Sequence, residues 1–249
     1  MSRTFEMLQR LEKEQELAVP PSPTPINAPL AAHANGNHFG KSVRVGEEEV
    51  LKLVQRVFRS SSPDAPRAVV FSGVAHGDGA SWITANAAMT LAAQTTASIC
   101  VVDANLRTPS LHRFFQVENR GGLVNAITQP GPVKSFAQQI SGSNLWVLTS
   151  GSQESAAALN SEALRARIAD LRAEFDYVLI DAPPANLYAD AITLGRLSDG
   201  IILVLQSNST RREAALKAKE GCENANVRLL GAVLNKRTFP IPQNVYEWL

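Results

Sequence analysis

Cysteine is scarce: Cys100 and Cys222 are the two in 249 residues, and no metal-ligand spacing relates them. A disulfide scaffold is therefore excluded, and a reducing cytoplasm is the default compartment. An excess of one charge is missing too. Lys and Arg number 24 against 23 Asp and Glu, a net +1, which gives no electrostatic footprint for nucleic acid. No apolar run approaches the roughly 20 residues that span a bilayer. Met1–Arg10 lacks the apolar stretch of a signal peptide. The expectation is a cytoplasmic protein without a membrane span, reaching the inner membrane only through a partner. What is present, 45% hydrophobic and 19% charged residues, suits one globular domain with an appendage.

The appendage comes first. Phe5, Leu8, Leu11 and Leu17 recur at near-helical spacing among charged residues, which predicts an amphipathic helix over 1–19. Residues 20–42 turn to Pro, Ala, Asn, His and Gly and read as a flexible linker. A folded domain over 43–249 follows. It opens with a helix at Glu47–Arg59, whose apolar face is Val50, Leu51, Val54, Val57 and Phe58 and whose first turn carries Glu47, Glu48 and Glu49. Strands and helices then alternate: strands at Arg67–Ser72, Ser98–Asp103, Leu145–Thr149, Tyr177–Asp181, Gly200–Gln206 and Leu229–Asn235, with helices between them. Near-continuous apolar strands mean that both sheet faces are covered. The fold class is α/β, a doubly wound, mostly parallel sheet.

The segment after the first strand is Ser72-Gly73-Val74-Ala75-His76-Gly77-Asp78-Gly79-Ala80-Ser81-Trp82. A strand, a glycine-rich turn and a helix start make an anion site, because backbone N–H groups and the helix dipole converge there. A P-loop reads Gly-x-x-x-x-Gly-Lys-[Ser/Thr], with the lysine on the β- and γ-phosphates and the hydroxyl on Mg²⁺. Gly79 and Ser81 fill two of those places, whereas Ala80 stands in the lysine place and Val74 in the first glycine place. Two unit charges about 4 Å apart at an effective dielectric near 20 interact by roughly 4 kcal/mol. Loss of the lysine therefore predicts triphosphate binding weakened about a hundredfold or more. The alternative reading is a plain Gly-rich turn. For Trp82 the expectation is a large side chain packed on the sheet.

In such sheets ligands bind beyond the carboxyl ends of the strands. Two acids stand there, Asp103 after Ile99-Cys100-Val101-Val102 and Asp181 after Tyr177-Val178-Leu179-Ile180. An acid ending a strand opposite a P-loop suits Mg²⁺ or a water-positioning role. Asp103 and Asp181 are the candidate catalytic groups, and with Ser81 the candidate Mg²⁺ ligands.

From about Glu47 to Arg237 the chain resembles the bacterial tyrosine kinases of capsule and exopolysaccharide synthesis, deviant P-loop ATPases akin to partition and division-site ATPases. Gly77-Asp78-Gly79-Ala80-Ser81 stands where that family has Gly-Glu-Gly-Lys-Ser. Asp103-Ala104-Asn105-Leu106-Arg107 resembles its Asp-x-Asp-x-Arg motif, and Val178-Leu179-Ile180-Asp181-Ala182-Pro183-Pro184 its Walker B. Gly231-Ala232-Val233-Leu234-Asn235-Lys236-Arg237 is similar to its adenine-side strand. The resemblance implies ATP or ADP with Mg²⁺ as cofactor. It makes Gly77, Asp78, Gly79, Ala80, Ser81, Trp82, Arg107, Asn235 and Arg237 the cofactor-binding candidates. It also implies a membrane chain-length regulator or activator as partner, and a homo-oligomer.

The departures bear on activity. Ala80 removes the phosphate lysine, and Asn105 replaces the second acid. Glu49, Lys52 and Gln55 match the family's oligomerisation helix poorly, and the tail offers only Tyr246 in place of a tyrosine cluster. The expectation is a degenerate member, kept for regulation or protein contact, with weak or no ATP turnover. The rival is an active kinase or ATPase whose missing charge comes from Lys236, Arg237 or a partner. A partition- or division-type regulator ranks third, because Pro240 and Pro242 break a C-terminal membrane helix.

Overall fold

The computed structural model describes residues 39–59, 64–151 and 162–237, with side chains from residue 48 onward. The expected 1–19 helix and most of the 20–42 linker lie outside the described residues, as does the tail beyond 237. Helix α1 spans Phe39–Phe58 and so begins inside the stretch read as linker. Val50, Val54 and Phe58 are buried, at the four-residue spacing that puts them on one helix face.

Strand β1 is Ala68–Gly73, followed by helix α2 at Ala80–Gln94, strand β2 at Ile99–Asp103, and short helices α3 at Leu111–Phe115 and α4 at Leu123–Thr128. A 3₁₀ turn at Val133–Phe136 leads to β3, Gln138–Gln139, and β4, Leu145–Leu148. Helix α5 is Glu162–Glu174, β5 Tyr177–Ala182, α6 Asp190–Leu197, β6 Gly200–Gln206, α7 Arg212–Asn224 and β7 Leu229–Asn235. The seven strands are ordered β3-β4-β2-β5-β1-β6-β7. All neighbours are parallel except β3, which pairs antiparallel with β4. The doubly wound, mostly parallel sheet is thus the one expected.

Alternate residues of the same strands feed two cores. Val69, Phe71, Val101, Leu179, Ile202 and Val204 point to the face covered by α1 and α2, through Val54, Phe58, Ile83 and Leu91. Val70, Val102, Ile180 and Leu203 point to the other face, where α5, α6 and α7 supply Leu164, Ile168, Leu171, Leu194 and Ala218. At about 25 cal/mol per Å², double-sided burial makes each central strand residue a major stabilising contact. It also fixes the height at which β1, β2 and β5 end, and the site is built on those ends.

Candidate functional site

β1 runs out at Gly73, and the chain turns through the loop into α2. Gly79 holds φ +90, a left-handed backbone, and an added Cβ there would strike the Asn235 amide. Only glycine meets both demands without strain. The first bond within α2 is Ile83 N–H to Gly79 O at 3.1 Å, and no side chain caps the helix. The N–H groups of Ala80, Ser81 and Trp82 therefore have no acceptor among the described residues, which is an open anion site at a helix start.

Asp78 lies inside the loop, almost wholly buried. Its Oδ2 accepts the N–H groups of Val74 at 2.9 Å and Ala75 at 2.8 Å, and Oδ1 accepts the Thr210 hydroxyl at 3.2 Å. The carboxylate is a brace that holds the loop in shape from within. Trp82, expected on the sheet, is instead 42% exposed. Helix α2 turns Ile83, Ala87 and Leu91 inward, so its opposite face carries Trp82 and Met89 to solvent. That expectation is corrected.

Asp103 and Asp181 are paired residues of β2 and β5, in register across the ladder. Both are fully buried. Asp103 Oδ2 accepts the N–H groups of Ser110 at 2.9 Å and Leu111 at 3.0 Å. Its Oδ1 and both oxygens of Asp181 have no partner of normal geometry. Burial pushes Asp103 up to about 6, against the pull of the Leu111 and Ser110 N–H groups. Burial and then the Asp103 charge raise Asp181 well above the usual carboxylate range, while the Ser81 hydroxyl draws it back. Unpartnered buried carboxylates are rare and call for a ligand. Two of them beside a hydroxyl fit Mg²⁺, which takes one or two carboxylates, waters and substrate phosphate. Ser81, Asp103 and Asp181 would hold it, and when bound it would neutralise phosphate charge.

Asn105 is tied into its own turn, donating to Thr108 Oγ1 at 3.0 Å and accepting the Thr108 N–H at 3.3 Å. Arg107 pairs with Asp190 at 3.3 Å, and its guanidinium lies 4.1 Å from the centre of the Tyr188 ring. Tyr188 in turn meets His76 of the loop, with 3.4 Å between its hydroxyl and Nε2. An arch of Arg107, Tyr188 and His76 thus joins the Asp103–Arg107 segment to the P-loop. Tyr188 carried no signal in the sequence beyond lying after Asp181.

On the opposite flank β7 ends against the loop. Asn235 Nδ2 donates to Asp78 O at 2.9 Å, and Lys236 Nζ donates to Gly77 O at 2.7 Å and Gln206 Oε1 at 3.2 Å. Arg237 follows, exposed. The structure brings Gly77, Asp78, Gly79, Ala80 and Ser81 together with Asp103, Asp181 and Asn235, and sets Arg107 on the arch. Thr210 and Gln206 were missed, since neither belongs to a motif.

A glycine loop between β1 and α2, facing acids on β2 and β5, defines a P-loop nucleotide-binding fold. A family profile described as "ParA: NUBPL iron-transfer P-loop NTPase" matches residues 67–247. The chain is 34% identical over 171 residues to the tyrosine-protein kinase YwqD of Bacillus subtilis, covering 68% of this chain and 72% of that protein. It is 29% identical over 171 residues to the tyrosine-protein kinase CpsD of Streptococcus agalactiae, covering 68% of this chain and 73% of the relative. The crystal structure of the chimerical protein CapA2B2 superposes with a TM-score of 0.71 at 27% identity, covering 77% of this chain and 85% of that one. The chain belongs to the ParA-type P-loop NTPases, in the family of the bacterial tyrosine kinases.

Proposed function

We propose that this protein binds Mg–ADP or Mg–ATP and acts as a regulatory, nucleotide-responsive component of capsule or exopolysaccharide synthesis, with slow ATP turnover. One observation carries the nucleotide reading: the unpartnered oxygens of Asp103 and Asp181, buried side by side next to Ser81. Such carboxylates are destabilising in an empty fold and are kept where a cation completes them. The relatives, which are tyrosine-protein kinases, support the kinase family, and the pathway is what the resemblance of the Gly77–Ser81, Asp103–Arg107 and Val178–Pro184 motifs implies. The partner in this reading is a membrane chain-length regulator or activator, and self-association is part of it.

Slow turnover follows from charge. Phosphoryl transfer is almost entirely positioning and electrostatic stabilisation. Ala80 leaves the phosphate chain without its usual lysine, and Asn105, held by Thr108, offers no second carboxylate to activate a nucleophile. A second reading, an active kinase with the charge supplied elsewhere, is favoured by Lys236, whose ammonium reaches the loop. The test is ADP binding with and without Mg²⁺, with ATP turnover measured alongside. Mg-dependent binding with turnover far below ordinary kinase rates of about 1–100 s⁻¹ is expected. Turnover within that range, or a labelled tyrosine, contradicts the regulatory reading.

A further inference from the structure

Lys236 has properties that its position at a strand end does not require. Its backbone is left-handed, φ 55, a conformation uncommon for residues other than glycine and enriched at functional sites. That conformation is locked. Asn235 Oδ1 accepts the Lys236 N–H at 2.8 Å, Asn235 O accepts the Ser207 N–H at 2.8 Å, and Asn235 Nδ2 grips Asp78 O. The side chain is aimed at the P-loop, and both its acceptors, Gly77 O and Gln206 Oε1, are neutral. Among the described residues no carboxylate forms an ion pair with it. The nearby Asp78 carboxylate instead takes the N–H groups of Val74 and Ala75 and the Thr210 hydroxyl. An ammonium has three donors, so one N–H remains beside the loop that presents its backbone to phosphate.

We infer that Lys236 is the phosphate cation of this site: its ammonium, delivered from the end of β7, takes over from the lysine that Ala80 replaces and binds the β- and γ-phosphates of a nucleoside di- or triphosphate. The inference rests on the Mg–nucleotide reading above and supplies the charge its second form calls for; slow turnover then rests on Asn105, which offers no second carboxylate. The same side chain, bonded to Gly77 O, also braces the loop. Its source is a strand end instead of the loop. The charge is thereby separate from the Mg²⁺ ligands, which lie on β2, β5 and the first turn of α2.

The experiment compares wild type, Lys236→Ala, Lys236→Arg, Ala80→Lys and the double variant Ala80→Lys/Lys236→Ala, titrated calorimetrically with Mg–ADP, Mg–ATP and AMP. Expected is at least a tenfold loss of ADP and ATP affinity in Lys236→Ala, with AMP changed less than twofold. Lys236→Arg keeps affinity within threefold, and in the Ala80→Lys background the Lys236→Ala loss shrinks to threefold or less. A role confined to bracing the loop would weaken all three nucleotides alike and would not be rescued by Ala80→Lys. That result, or unchanged ADP affinity in Lys236→Ala, overturns the inference while leaving the nucleotide reading intact. A wild-type chain that binds neither ADP nor ATP overturns both. Circular dichroism and thermal melting of each variant separate lost binding from lost folding.

Discussion

Replacing Asp103 with asparagine should stabilise the nucleotide-free protein and disable it at once. The side chain is fully buried, one oxygen accepts two backbone N–H groups, and the other has no partner of normal geometry, with Asp181 the paired residue on β5. Asparagine keeps an oxygen for Ser110 and Leu111 and removes the charge. Its amide can donate to Asp181. The displacement of Asp103 from its ordinary 3.8 to about 6 corresponds to about 3 kcal/mol above pH 6. Allowing for imperfect amide geometry, Asp103→Asn should gain about 2 kcal/mol at pH 7.5, a Tm rise of roughly 4–8 °C. The sign follows from linkage. The folded-state value lies above the unfolded one, so the native state binds more protons between 3.8 and about 6, and wild type gains stability as pH falls through that window. Asp181 is raised too and acts in the same direction. Burial holds His112 below its ordinary value, which opposes this at acid pH, but His112 is common to both proteins and cancels in the difference. The advantage of the variant should therefore shrink as pH falls from 7.5 to about 5. Saturating Mg–ADP should reverse the order, because ligand at a hundred times its Kd adds about 2.7 kcal/mol to wild type alone. Thermal denaturation at the two pH values, with and without Mg–ADP, reads all of this. An Asp103→Asn variant less stable than wild type at pH 7.5, or a gain independent of pH, refutes the reasoning.

Two further substitutions test the frame around the site. Gly79→Ala combines a left-handed backbone with collision against the Asn235 amide, and should cost about 1–3 kcal/mol in chemical denaturation together with nucleotide binding; a silent substitution would show that β7 does not press on the loop. Arg107→Ala leaves the buried Asp190 without its ion-pair partner and uncovers Tyr188. Because Arg107 is 40% exposed, solvent screening limits the expected loss to about 1–2 kcal/mol in the same assay, and a loss above 4 kcal/mol contradicts that placement.

The parts of the fold that the sequence discloses are those where one physical cause dominates. Gly200–Gln206 and Leu229–Asn235 fall where expected, because each apolar run is bounded by polar or glycine punctuation. The helix Leu111–Phe115, the 3₁₀ turn and the two-residue β3 are too short for a period to register. Helix α2 mixes alanine with small polar residues on every side, so nothing in its spacing placed Trp82 outward. Asp103 and Asp181 were legible because an acid closing a buried strand conflicts with its surroundings unless it has work to do. The resemblance picked out Asn235 and Lys236, but not the bonds by which they and Thr210 hold the P-loop, since those join residues 157, 159 and 132 positions apart. Contacts of that separation come from strand order, which brings β6 and then β7 beside β1, and not from any local pattern.

The most direct measurement is a calorimetric titration of ADP at pH 7.5 into wild type and Asp181→Ala, each with Mg²⁺ and with a chelator. The account predicts saturable micromolar binding by wild type that needs Mg²⁺, and its loss in Asp181→Ala. ADP binding that ignores Mg²⁺ or survives Asp181→Ala, or no binding to wild type, would contradict the claim that these buried carboxylates are kept for a metal–nucleotide complex.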